Sequence, residues 1–88
     1  MKHASAQTLE SLAHLLGRLR AIPGLKERKA GTFYLGSSAF LHFHEDPAGL
    51  FADVKLDGGE FTRFPVNTKQ EQDKLFRAAA SAGGQAAK

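Results

Sequence analysis

The sequence predicts an α+β domain: an N-terminal helix, a four-stranded antiparallel meander and a C-terminal helix, with both helices on one face of the sheet. Three observations predict it. Leucines recur at three- and four-residue spacing as far as Ile22. From Thr32 to Phe64 the apolar period shortens toward two, and turn residues interrupt it. A capping signal at Thr68 then opens a second apolar stripe. A switch of period from near 3.6 to 2 and back is the pattern of helix, strands and helix.

The first helix rests on Leu9, Leu12, Leu16, Leu19 and Ile22, with Leu15 widening the stripe. Ser5 or Thr8 is placed to cap its start. Pro23-Gly24 ends it, because proline disfavours helix in the residue before it and glycine permits a sharp exit. The stripe is too short for a stable coiled coil, so it reads as core packing. Leu25 to Gly31, "LKERKAG", reads as a charged connector.

The strands follow. "TFYL" (Thr32 to Leu35) is rich in β-formers, "GSS" (Gly36 to Ser38) is turn chemistry, and "AFLHFHE" is the second strand. Asp46-Pro47-Ala48-Gly49 is a turn in which proline presets φ and Asp46 bonds the backbone ahead. "LFADVKL" (Leu50 to Leu56) is the third strand, Asp57-Gly58-Gly59 a further turn, and "EFTRF" (Glu60 to Phe64) the fourth, closed by Pro65 as suits an edge. Thr68 and Glu71 have capping-box spacing. Leu75, Phe76 and Ala79 form the apolar side of the last helix, which Gly83-Gly84 should stop. One domain over residues 1–88 is expected, ordered from about 6 to 82, with 83–88 a frayed tail.

Register can be read from the turn. With "DPAG" joining the second and third strands, Phe43 meets Ala52, Leu41 meets Val54 and Ala39 meets Leu56 on one face. On the other, His44 meets Phe51, His42 meets Asp53 and Phe40 meets Lys55. Across "GSS", Phe33 joins Leu41 on the first face and Tyr34 joins Phe40 on the second. The buried face is therefore Phe33, Leu35, Leu41, Phe43, Ala52, Val54 and Leu56. The outward face carries Tyr34, Phe40, His42, His44, Phe51, Asp53 and Lys55. Phe61 and Phe64 have opposite parity and take opposite faces unless a bulge intervenes.

Hydrophobic residues make up 42% of the 88 residues and charged ones 24%, an ordinary balance for a globular domain. There is no cysteine, which removes disulfides, thiolate metal sites and cysteine nucleophiles. No signal-peptide pattern and no membrane-spanning run is visible, so the expected setting is the cytosol without membrane partners. No phosphate-binding glycine loop, nucleophile elbow or paired-acid site stands out, so no cofactor and no catalytic residues are assigned.

Three groups of residues are candidate sites. His42, His44 and Asp53 share the outward face of adjacent strands. Two imidazoles two residues apart with a facing carboxylate could form an open zinc set, although a polar cross-strand pair is the plainer reading. The formal charge is +3, and Arg18, Arg20, Lys26, Arg28 and Lys29 crowd one stretch, a possible phosphate-tracking patch for nucleic acid. Tyr34, Phe40 and Phe51 would form an aromatic partner surface, which suits a weak homodimer that loosens as histidines protonate. The function expected is binding rather than catalysis, with a DNA-associated protein and a metal-binding protein or hydrolase as alternatives.

The run "LRAIPGLKERKAGTFYLGSSAFLHFHEDPAGLFADVKL" resembles the small bacterial MmcQ/YjbR-like proteins and, more distantly, the N-terminal domain of TfoX-type proteins. The resemblance spans roughly residues 12 to 57, through a helix ending in Ile-Pro-Gly, an aromatic strand, an "AFL" strand and a strand ending in Val-Lys-Leu. It implies the α+β fold and supplies no catalytic residues. Beyond the third strand the chain departs from that family, lacking its tryptophan-bearing segment.

Overall fold

The computed structural model describes residues 2–3, 5–56 and 60–86, and within them the chain is α+β. Ser5 caps the first helix as anticipated, its Oγ accepting from Thr8 N at 3.2 Å. The single helix expected there is two segments, α1 (Ala6–Ser11) and α2 (Ala13–Arg20), separated at Leu12, where φ is −102° and ψ is 13°. The cause is local. Ser11 Oγ donates to the Thr8 carbonyl at 2.6 Å, and Leu12 N turns to Leu9 O at 3.1 Å instead. A serine that takes a backbone acceptor competes with the helical ladder. The break leaves the stripe intact: Leu9, Leu12, Leu15, Leu16, Leu19 and Ile22 are all buried.

The strands are β1 (Lys2–His3), β2 (Leu25–Lys29), β3 (Thr32–Leu35), β4 (Ser38–Asp46), β5 (Gly49–Lys55) and β6 (Phe61–Pro65). All pairs are antiparallel in the order β2-β3-β4-β5-β6, and β1 pairs with β4 opposite His44 and Glu45. The main sheet path thus has five strands where four were expected. The extra one, β2, is the stretch read as a connector. It pairs with β3 from Leu25↔Leu35 to Lys29↔Thr32. Charged side chains on an edge strand deter pairing with other chains, and they also hide the alternation that announces a strand. Glu27 anchors the β2–β3 turn by accepting from Gly31 N at 2.8 Å. Gly31 is needed there: its φ is +80°, and a Cβ would stand 2.6 Å from Leu9 Cδ2.

The β4–β5 register is the expected one, from Leu41↔Val54 through His42↔Asp53, Phe43↔Ala52 and His44↔Phe51 to Glu45↔Leu50. Asp46 Oδ1 accepts from Ala48 N at 2.8 Å, which closes the turn. The first hairpin differs. Phe33 pairs with Leu41, but Tyr34 pairs with Ala39, so the register shifts between them and Phe40 is the extra residue of a β-bulge. A bulge lets two consecutive residues face the same way. Phe40 therefore joins Leu41 in the core, 3% exposed. That corrects its expected outward position and the Tyr34–Phe40 pairing, while the β4–β5 ladder ends at Leu41↔Val54.

In β6, Phe64 pairs with Ala52 on the core side, and Arg63 with Asp53 and Phe61 with Lys55 on the other, with no bulge. The helix α3 (Lys69–Ala86) opens with the anticipated capping box, Thr68 Oγ1 accepting from Glu71 N and Glu71 Oε1 from Thr68 N, both at 3.1 Å. It runs through Gly83-Gly84 to Ala86 rather than stopping at them. Within an 18-residue helix, glycine lowers propensity by about 1 kcal/mol each without removing a hydrogen-bond donor. The Asp57-Gly58-Gly59 turn and residues 87–88 lie outside the described residues.

One buried cluster joins α1, α2 and α3 to Phe33, Phe40, Leu41, Phe43, Ala52 and Val54 of the sheet. Leu35 and Leu56 are partly buried against it. Burying each large apolar side chain contributes about 1.5–3 kcal/mol. Arg18 ties the helices together, donating to Asp73 Oδ1 at 2.6 Å and lying 4.2 Å over the Phe76 ring. No described helix is long and apolar enough to cross a membrane.

Candidate functional site

The run His42-Phe43-His44-Glu45-Asp46 divides its side chains by parity, as a strand must. Phe43 enters the core. Glu45 is on the helix side, where its Oε2 accepts from Ser5 N at 3.1 Å and from the Thr8 hydroxyl, so it tethers the start of α1. Asp46 closes the turn. His42 and His44 are left projecting from the opposite face of the sheet, toward Asp53 of β5 and Arg63 of β6.

There the groups converge on one carboxylate. His44 Nε2 lies 3.3 Å from Asp53 Oδ2. Arg63 grips the same carboxylate with two bonds, Nε to Oδ1 at 2.9 Å and a terminal nitrogen to Oδ2 at 3.2 Å. The His42 and His44 rings meet edge to face, 4.4 Å between centroids, and His42 meets Phe61 in the same manner at 4.8 Å. Asp53 is 8% exposed although it lies on the face away from the helices. Burial alone would push its carboxyl up. The Arg63 hydrogen bonds and charge, aided by the neighbouring imidazoles, outweigh that and hold it below its ordinary value of 3.8.

The three residues singled out in the sequence as metal ligands are thus brought together: one donor atom from each of His42, His44 and Asp53 lies within 4.8 Å of the others. A tetrahedral zinc with bonds of about 2.0–2.1 Å holds its donors about 3.3 Å apart. The His44–Asp53 pair already has that spacing, and the His42 donor lies within 4.8 Å of both. Arg63 was not foreseen. Its signal was its place two residues after Phe61 in the fourth strand, but that register could not be fixed from the sequence.

The basic set is divided by the fold. Arg18 is held by Asp73 on the helix side. Arg20 donates to Glu27 at 2.5 and 3.2 Å. Lys26, Arg28 and Lys29 lie along β2 at the edge of the sheet, with the Arg28 guanidinium 5.1 Å over the Tyr34 ring. Of the aromatic set, Tyr34 and Phe51 are half-buried on the open face and Phe40 is in the core.

Fold and site together define a small α+β domain that covers one face of its sheet with helices and displays histidine, carboxylate and guanidinium on the other. No family model, curated protein or solved structure matches the chain.

Proposed function

We propose that the protein is a non-enzymatic binding domain whose ligand is a divalent transition-metal ion held by His42, His44 and Asp53. The observation that carries this reading is the convergence of two imidazoles and one anionic carboxylate, with donor atoms inside 4.8 Å, on a rigid pair of central strands. Imidazole and carboxylate donors suit zinc and its neighbours, and a three-ligand set leaves a position for water or a partner's side chain. Arg63 keeps the Asp53 carboxylate anionic, and it also occupies the carboxylate oxygens that an ion would have to share. Binding is favoured over hydrolysis because the site lies on a sheet face. Cavities of about 270 and 440 Å³ are lined by Leu35, Phe40 and Leu56 in one and by Thr62, Arg63 and Lys74 in the other, and neither is lined by His42, His44 or Asp53. The MmcQ/YjbR-like kinship is proposed on the packing and turn motifs of residues 12–57 alone, and no functional residue is transferred from it.

Isothermal titration of the untagged protein with zinc and nickel tests the reading. One ion per chain is expected, in the micromolar range. His44→Ala and Asp53→Asn should each weaken binding by about tenfold or more. His14→Ala, on the exposed side of α2, should leave it unchanged. Absence of saturable binding below about 100 µM, equivalent to a free energy weaker than about −5.5 kcal/mol, would sink the proposal.

A further inference from the structure

The open face carries a second pattern, which shares Arg63 and Phe61 with the donor cluster and extends beyond it. Three of its aromatic rings each have a cation above them: Arg28 over Tyr34 at 5.1 Å, Lys55 over Phe61 at 5.0 Å and Arg63 over Phe51 at 5.8 Å. Lys26 is in register with Tyr34, and Lys29 with Thr32, which adds two cations along the same edge. Arg28 is the extra residue where the β2–β3 register shifts, between Glu27 and Lys29, and this irregularity sets it beside the ring. Two carboxylates occupy outward register positions, and both are engaged: Asp53 by Arg63 and Asp46 by Ala48 N. Glu27 and Glu45 are turned to the helix side, where they hold Arg20 and the start of α1. Each acid of the strands thus has a local partner, while the cations of β2 and Lys55 outnumber them on the open face beside π-surfaces.

We propose that this face binds single-stranded nucleic acid, with bases stacked on Tyr34 and Phe61 and phosphates taken by Lys26, Arg28, Lys29 and Lys55. Unpaired bases stack on aromatic rings and guanidinium planes of a sheet, and basic side chains between the rings track the backbone. The charge pattern selects this occupant. A second copy paired two-fold on the same face would set these cations against themselves. A duplex hides its bases, and reading one takes an element that enters a groove, whereas this face presents the flat of a sheet. Phe61 is 41% exposed, a large apolar ring left in water by the folded chain.

Fluorescence anisotropy of labelled oligo(U) and oligo(dT) 12-mers, in EDTA, separates this proposal from the metal reading, since each can fail without the other. Binding is expected at 25 mM salt. At 200 mM it should weaken by about 100-fold if about three phosphates are engaged, given a single-strand slope of about 0.7 per phosphate. Tyr34→Ala should weaken binding about 5- to 100-fold with the salt slope unchanged. Arg28→Ala should weaken it and flatten the slope by about 0.7. Circular dichroism checks that both variants fold, and Tyr34→Phe should restore binding. Arg77→Ala, exposed on α3, should change nothing. No binding at 25 mM salt with 100 µM protein (an order-of-magnitude ceiling of about −5.5 kcal/mol) would overturn the proposal. So would an equal loss from Arg77→Ala, or phosphatidylserine vesicles bound in preference to either oligonucleotide.

Discussion

At the scale of single residues, Asp53 is the pivot of the open face. It is a buried anion shared between a guanidinium and an imidazole, with side-chain exposures of 11% for Asp53, 14% for His44 and 49% for Arg63. A buried carboxylate keeps its charge only while something offsets its desolvation, and Arg63 does so here. The same guanidinium competes with any cation that approaches the carboxylate. Arg63→Met should therefore raise zinc affinity several-fold. It should also lower stability, because the buried carboxylate loses its guanidinium partner. Calorimetric titration and urea unfolding of the same preparation measure both. Unchanged zinc affinity would mean that Asp53 is not a ligand, and that the histidines alone hold whatever ion is bound.

At the scale of elements, the departures from the sequence reading have identifiable backbone causes. The β4–β5 hairpin was legible because strict alternation runs out of both sides of a two-residue turn, so a single register satisfies Leu41, Phe43, Ala52 and Val54 together. That same register made His42, His44 and Asp53 legible as a group. The β4 bulge was not read, although Ala39-Phe40-Leu41 is a run that breaks alternation and is a trace of it. β2 was hidden because one buried residue, Leu25, is followed by four charged ones. The bulge makes Phe40 a core residue, so Phe40→Ala should cost about 3–5 kcal/mol in urea unfolding, the range for a buried aromatic. A loss below 1 kcal/mol would return Phe40 to the surface. The strand status of β2 rests partly on Glu27, which links the end of α2 to the β2–β3 turn. The Arg20 hydrogen bond lowers the Glu27 carboxyl from its ordinary 4.5, burial opposes this, and Gly31 N adds to the lowering. A depressed folded value means stabilisation present above pH 4.5 and lost as pH falls through the lowered value. Glu27→Gln should thus cost about 0.5–1 kcal/mol at pH 7, and the cost should shrink as pH falls below 4.5. A difference that did not shrink with falling pH would assign the effect to packing instead of charge.

At the scale of the whole molecule, the fold sorts its residues between two sides of one sheet. The helices cover one side with leucine, and among the described residues no second layer covers the other. What that face carries then decides whether the domain pairs with itself. The sequence suggested an aromatic ring of Tyr34, Phe40 and Phe51 as a dimer surface. With Phe40 in the core the apolar patch is smaller, and the rings that stay are each accompanied by Arg28 or Arg63. Two-fold pairing would bring like charges together across the axis, with a Debye length of about 14 Å at 0.05 M and about 4 Å at 0.5 M setting how strongly they repel. The chain should therefore sediment as a monomer at 0.05 M salt and about 100 µM, a concentration that detects free energies near −5.5 kcal/mol. Any self-association should increase at 0.5 M, where the repulsion is screened and apolar contact is unaffected. Sedimentation equilibrium at the two salt concentrations separates the forces. A dimer that formed at low salt and dissociated at high salt would be held by opposite charges, and such a dimer is incompatible with a cationic open face.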